Sequence, residues 1–424
     1  MKSPKSIFSS LYYNSLLTLA EMGGKDYLSI KLLENIESGN IKTVKKLINI
    51  GVFKKQPYKR QQALYFAAQC NKEDIFKILM PTVITKNSYK YYIEKILYAA
   101  VQSGNKNIVE TVLNKMSIQE NDLVTHLYLS AQNNHTDVLK YLSAKVTDSK
   151  LLVPSLFQAI KNNNSDLVKY LLDRGISPEI RWHGHTLMTM AAISANIEIL
   201  NALISAKANI NSTDKFNCSP LMVCAYYNNY QAAELLIKMG ADVNHQDQDG
   251  QYALFLATTM GNTKLAELLL HNNANPNLNT DNSFWYDGES ALDQAVLCDR
   301  PDILKLFLKF GAYPNKNYGY KRPLLYLAAS MGLKEITKIL LENGVIQDEE
   351  NFCQQSPREI ALQNNNQEIV KILGGISSSK SVTKDCSKEV NNHVKNCLFS
   401  IRAPRLRILP THKFTCSEII EFRK

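Results

Sequence analysis

Aromatic side chains gather at a few turns of this 424-residue chain, each marked by glycine or asparagine. Trp182 and His183 precede Gly184, and Phe216 precedes Asn217. Phe284-Trp285-Tyr286 precede Asp287-Gly288, and Tyr318 and Tyr320 flank Gly319. Large rings in turns are hard to bury in a core, and Trp, Tyr and Arg dominate protein interfaces because they cover much area at small entropic cost. The chemistry they suggest is recognition of a protein, with Trp182, Phe216, Phe284, Trp285, Tyr286 and Tyr320 as the contact residues. The competing reading is that each ring folds back on the neighbouring turn as a staple.

Other chemistry finds less support. His183 and His185 alternate as a metal pair would, but no Cys, Asp or third His stands at ligand spacing, so both read as turn residues. Cys218 and Cys224 lie close to one helix start and read as core thiols. The eight cysteines are scattered, with no C-x-x-C pair, which fits reduced thiols in a cytoplasmic compartment. There is no phosphate-binding Gly-x-x-x-x-Gly-Lys loop, no Gly-x-Ser-x-Gly elbow and no His-Glu-x-x-His. No catalytic residue, cofactor or metal is expected.

The charge is uneven. Residues 1–60 carry 11 Lys/Arg against 4 Asp/Glu, residues 377–424 carry 10 against 4, and the span between holds 28 against 31. Two basic ends around a near-neutral middle argue against a specific nucleic-acid groove and leave only weak attraction to anionic surfaces. No apolar run is long enough to span a bilayer. Residues 1–29 read as a capping segment, since Tyr12, Tyr13 and Asn14 break the apolar stretch a leader would need.

The elements that must carry these turns show in a repeat. A leucine-like position recurs at Leu33, Leu64, Ile96, Leu127, Leu156, Met188, Leu221, Leu254, Leu292 and Leu325, with Arg358 in the last slot. A small residue follows three positions on at Ala67, Ala99, Ser130, Ala159, Ala191, Cys224, Ala257, Ala295, Ala328 and Ala361; only the first copy departs, with Ile36. Ser219-Pro220 and Ser356-Pro357 suit helix starts, where proline's missing N–H is harmless. Gly175, Gly240, Gly311 and Gly344 suit left-handed helix ends. The turn before Ser290 is five residues longer than its neighbours.

With Ser219-Pro220-Leu221 and Gly240-Ala241-Asp242-Val243-Asn244, the pattern resembles the ankyrin repeat over about residues 30–374. The resemblance implies an all-α solenoid of about eleven helix-turn-helix units with short finger turns, whose fingers and first helices face a partner. Residues 30–150 read as divergent repeats with trimmed fingers, and 151–376 as well-defined ones. One continuous right-handed stack is expected. Asn244, in Leu236 to Asn244, also resembles the acceptor context of the family's asparaginyl hydroxylase; the alternative is an asparagine bridging adjacent turns.

Residues 377–424 form a basic tail, expected to be partly disordered. It opens on Ser377-Ser378-Ser379, then places Val390, Val394, Leu398 and Ile401 at near-helical spacing before Arg402, Arg405 and Arg407. Cys397 to Arg402 with Leu409-Pro410 resembles an incomplete SOCS box, which implies an alternative role as substrate adaptor of an elongin–cullin ubiquitin ligase. The Asn/Lys/Tyr-rich composition is similar to that of ankyrin arrays from intracellular bacteria and large viruses, which implies an effector in a host cytosol. The expected function is a non-enzymatic scaffold that binds one or more proteins.

Overall fold

The computed structural model describes residues 27–53, 57–80, 90–115, 119–280, 290–315, 323–347, 350 and 355–374. Phe284, Trp285, Tyr286, Tyr320, the tail 377–424 and most of the segment 1–29 lie outside them.

Helical pairs succeed one another at the interval of the repeat, and the chain divides between Ile176 and Ser177 into two compact units. In the first unit the pairs are α1 (Tyr27–Glu37) with α2 (Ile41–Asn49), α3 (Pro57–Gln69) with α4 (Glu73–Leu79), and α5 (Lys90–Ser103) with α6 (Lys106–Leu113). Then come α7 (Glu120–Gln132) with α8 (Thr136–Ser143) and α9 (Val153–Lys161) with α10 (Ser165–Asp173).

The second unit opens on a short hairpin, β1 (Arg181–Trp182) antiparallel to β2 (His185–Thr186), with Trp182 opposite His185. Its pairs are α11 (Leu187–Ser194) with α12 (Ile197–Ser205), α13 (Pro220–Tyr227) with α14 (Tyr230–Lys238), and α15 (Ala253–Thr259) with α16 (Thr263–His271). They continue as α17 (Ala291–Leu297) with α18 (Pro301–Lys309), α19 (Leu324–Met331) with α20 (Lys334–Glu342), and α21 (Pro357–Gln363) with α22 (Gln367–Leu373). The eleven expected pairs are all present, and strand is confined to that hairpin and one Asn279–Ser290 bridge among the described residues.

The repeat residues do the packing their types require. The small-residue slot, from Ile36 to Ala361, is fully buried in every copy. A side chain larger than its neighbours tolerate there would push apart first helices that touch, at about 1–3 kcal/mol. The leucine slot is buried from Leu33 to Leu325, whereas Arg358 is half-buried on the last pair. No single pair could cover its own apolar face, so the array is stable only as stacked neighbours.

Helix starts obey the expected chemistry. Thr186, Ser219, Ser290 and Ser356 each accept a hydrogen bond from the backbone N–H three residues on. Gly175, Gly240, Gly311 and Gly344 all have positive φ, as the helix endings demand. Connections between pairs differ by unit. They are shorter in the first, as at 50–56 and 114–119, than in the second, as at 206–219 and 239–252. The connection 272–290, from His271 to Ala291, is the longest.

Candidate functional site

Successive fingers of the second unit are joined edge to edge by backbone groups. Lys215 N–H donates to the Gly184 carbonyl at 2.8 Å, and Gln248 N–H donates to the Phe216 carbonyl at 3.2 Å. Side chains extend the join: Asn217 Nδ2 donates to the Gln246 carbonyl at 2.9 Å, and Gln246 Nε2 donates to the Asn279 carbonyl at 2.6 Å. Each finger is also closed within itself. Asp214 Oδ1 accepts from the N–H groups of Phe216 and Cys218, both at 2.9 Å. Asp247, at the same place in the next finger, accepts from Asp249 at 3.0 Å and Gln251 at 2.8 Å. These bonds make the fingers a fixed edge rather than independent loops.

The aromatic residues divide on that edge. Phe216 is half-buried, with the Lys215 ammonium 5.0 Å from its ring centroid. Trp182 is different: only 4% of its surface is exposed, and its ring lies against His183 at 5.2 Å. The hairpin alternates Arg181 outward and Trp182 inward, so this tryptophan staples the finger and, contrary to expectation, offers no contact surface. Phe284, Trp285, Tyr286 and Tyr320 fall outside the described residues. Tyr313 was not among the candidate contact residues, yet it is 62% exposed on a neighbouring turn. Its signal was position: Gly311-Ala312-Tyr313-Pro314-Asn315 puts an aromatic where Gly240-Ala241-Asp242-Val243-Asn244 has a charge.

The two described ends of the longest connection share one partner. Tyr252 is fully buried and stands where other repeats carry the capping Ser or Thr, without capping its own helix. Its hydroxyl reaches both legs of the finger instead, at Leu278 and Ala291.

A ladder of asparagines runs along the unit ends. Asn244 Nδ2 donates to the Asn273 carbonyl at 3.0 Å while its Oδ1 accepts from Asn275 N–H at 2.8 Å. Asn211, Asn277 and Asn315 make the same two-way bridge to the next turn. Asn244 therefore has the bridging role expected of a structural asparagine.

The titratable groups nearest the fingers are buried ones. His185 Nδ1 lies 3.9 Å from Asp214 Oδ2, with both side chains buried; burial holds the histidine below its ordinary pKa, against the pull of Asp214. No three His, Cys, Asp or Glu side chains converge as metal ligands among the described residues. Burial pushes the Cys224 thiol up to about 12 and also raises that of Cys218, with Asp214 and Asp247 adding to it. Neither is a thiolate near neutral pH. In the first unit an open groove of about 660 Å³ beside Lys140, Asn164, Lys169 and Tyr170 is polar-lined and lacks the apolar enclosure of a small-molecule site. No helix among the described residues is long and apolar enough to cross a membrane.

Stacked short helix pairs with hydrogen-bonded fingers define a helical repeat protein. The chain belongs to the ankyrin-repeat family: a model of ankyrin repeats in three copies matches at 32–122, 127–214, 156–247, 221–318 and 292–384. Such repeats are protein–protein interaction modules, and the family is generally a non-enzymatic scaffold. Among solved structures, the chain is similar to the ankyrin repeat domain of Bcl-3, a member of the IkappaB protein family. That likeness has 20% identity and a TM-score of 0.46, over 51% of this chain and 97% of that one. No curated protein sequence matches.

Proposed function

We propose that the chain holds a protein partner along the finger edge of its second unit, with Phe216, Phe284, Trp285, Tyr286 and Tyr320 as the anchoring rings. The observation that supports this reading most is the edge-to-edge bonding from Gly184 through Phe216 to Asn279. A fixed edge presents side chains already ordered, so little entropy is lost when a partner covers them. Phe216 is half-exposed at the middle of it. A photo-cross-linking residue at position 216 of the full chain should capture the partner, and Trp285→Ala should abolish the capture. Equal capture from position 58, an exposed tyrosine of the first unit, would count against the reading.

The proposed setting is a cytoplasm, in a host cell if the protein is delivered there as an effector. Its support is the scattered cysteine pattern and the Asn/Lys/Tyr-rich composition. The adaptor alternative rests on Cys397 to Arg402 and Leu409-Pro410, which lie outside the described residues. Co-purification of elongin with the full chain, lost on deleting 397–410, is the result that would favour it. Hydroxylation of Asn244 is proposed on sequence context alone; its amide is already engaged on both sides. Mass spectrometry of that peptide after co-expression with the hydroxylase decides the point, and an unmodified peptide removes it.

A further inference from the structure

Tyr313 and Ile346 are the two most exposed large apolar side chains of the second unit among the described residues, at 62% and 54%. They occupy equivalent turns of adjacent repeats. Asn315, two residues after Tyr313, accepts a hydrogen bond from the N–H of Ile346 at 3.1 Å and donates to the Gly344 carbonyl at 3.3 Å. The earlier turns in the same register present Asn209, Asp242 and Asn275, which are polar and exposed. The surface thus changes from polar to apolar only at its C-terminal end, and adjacent exposed apolar groups of this kind mark contact sites.

The described residues end at that place. Gln347, next to Ile346, donates from Nε2 to the carbonyl of Leu373, and the last described residue is Gly374. The remaining segment, 375–424, complements the face in character. Val390, Val394, Leu398 and Ile401 recur at helical spacing, so a helix through them would present one apolar stripe. Residues 377–424 carry 10 Lys/Arg against 4 Asp/Glu, while residues 177–376 carry 15 against 21. Glu342 and Glu350, on either side of the Ile346 turn, are both exposed.

We propose that the chain's own segment 390–407 docks on the Tyr313–Ile346 face. Its apolar stripe covers the two side chains, and Arg402, Arg405 and Arg407 are drawn to the acidic flank. Residues 375–389 separate Gly374 from Val390. A random-coil chain of that length would span about 21 Å root-mean-square. It holds the segment at roughly millimolar effective concentration, so a weak intrinsic affinity suffices. This inference stands apart from finger-edge recognition: it assigns a different surface and an occupant from within the chain.

The tail supplies a natural reporter in Cys397, beside Leu398. In the full chain carrying Ile346→Cys, mild oxidation should join position 346 to Cys397 within one molecule, with the bond mapped by mass spectrometry. The expected rate is at least ten-fold above that of the same chain carrying Ile50→Cys, a 67% exposed position in the first unit. Replacing Arg402, Arg405 and Arg407 together by glutamate should slow the linkage several-fold. Rates at 346 and 50 within two-fold of each other would overturn the proposal, as would indifference to the arginine substitutions. A linkage between two molecules that rises with protein concentration would also overturn it, by making a second copy the occupant.

Discussion

The hydroxyl of Tyr252 donates to the carbonyl of Leu278 at 2.7 Å from a side chain that is itself fully buried. It also accepts from the N–H of Ala291 at 3.0 Å, so one atom ties both legs of the longest finger. The same two ends also pair through the Asn279–Ser290 bridge. Tyr252→Phe keeps the ring's packing and strips the hydroxyl from two backbone partners, the buried N–H of Ala291 and the half-buried carbonyl of Leu278. Leaving such groups unpaired costs about 1–3 kcal/mol, which denaturant titration should read as a lowered midpoint. If the finger presents the partner-binding rings, affinity should fall in the same variant. Unchanged stability would mean that water replaces the hydroxyl without loss.

Asp247 gives a pH-dependent prediction with a definite sign. Burial raises its pKa from the ordinary carboxylate value to about 6, against the backbone N–H groups of Gln251 and Asp249 that favour the anion. In the unfolded chain the group titrates near 4. Between those values the folded state binds more protons, so this residue's contribution to stability falls as pH rises from about 4 to 6. Asp247→Asn keeps an oxygen for both N–H groups and removes the titration. The stability difference between the variant and the parent should therefore shift in the variant's favour across that window. A flat difference would show that Asp247 titrates normally.

Lys207 has φ of +64° at a helix end where Gly240, Gly311 and Gly344 stand in sister repeats, and its side chain is exposed. A side chain with Cβ is strained in that left-handed region and glycine is not. Lys207→Gly should stabilise the protein by about 0.5–1 kcal/mol, less what glycine adds to unfolded-state entropy. Thermal and chemical denaturation should agree on the direction; a net loss would mean that unfolded-state entropy outweighs the relieved strain.

Packing was readable from the sequence because it repeats. Ala191, Cys224 and Ala257 announce a close helix approach by recurring, and the structure buries each completely. The excess length before Ser290 was legible for the same reason. What escaped was set by contacts that do not recur. Trp182 is buried because a short hairpin turns it inward, and a lone strand pair leaves too brief an alternation to read. Tyr252 broke the capping pattern of Thr186, Ser219 and Ser290, which was a usable signal, but its partners lie 26 and 39 residues away. The bridging role was readable at Asn244 alone; Asn211, Asn277 and Asn315 share it through amide geometry that residue type does not specify. The division between Ile176 and Ser177 left no mark in the spacing, since Leu156 and Met188 keep the ordinary repeat interval.

The sharpest test of recognition at the finger edge is Trp285→Ala, with partner affinity and thermal midpoint measured on the same preparation. A ring that anchors a partner contributes at least about 2 kcal/mol to binding, roughly a thirty-fold loss of affinity on truncation, while the melting temperature stays nearly unchanged. A ring that staples the finger, as Trp182 does, gives the opposite pattern. A lowered melting temperature with affinity intact would overturn recognition through that ring.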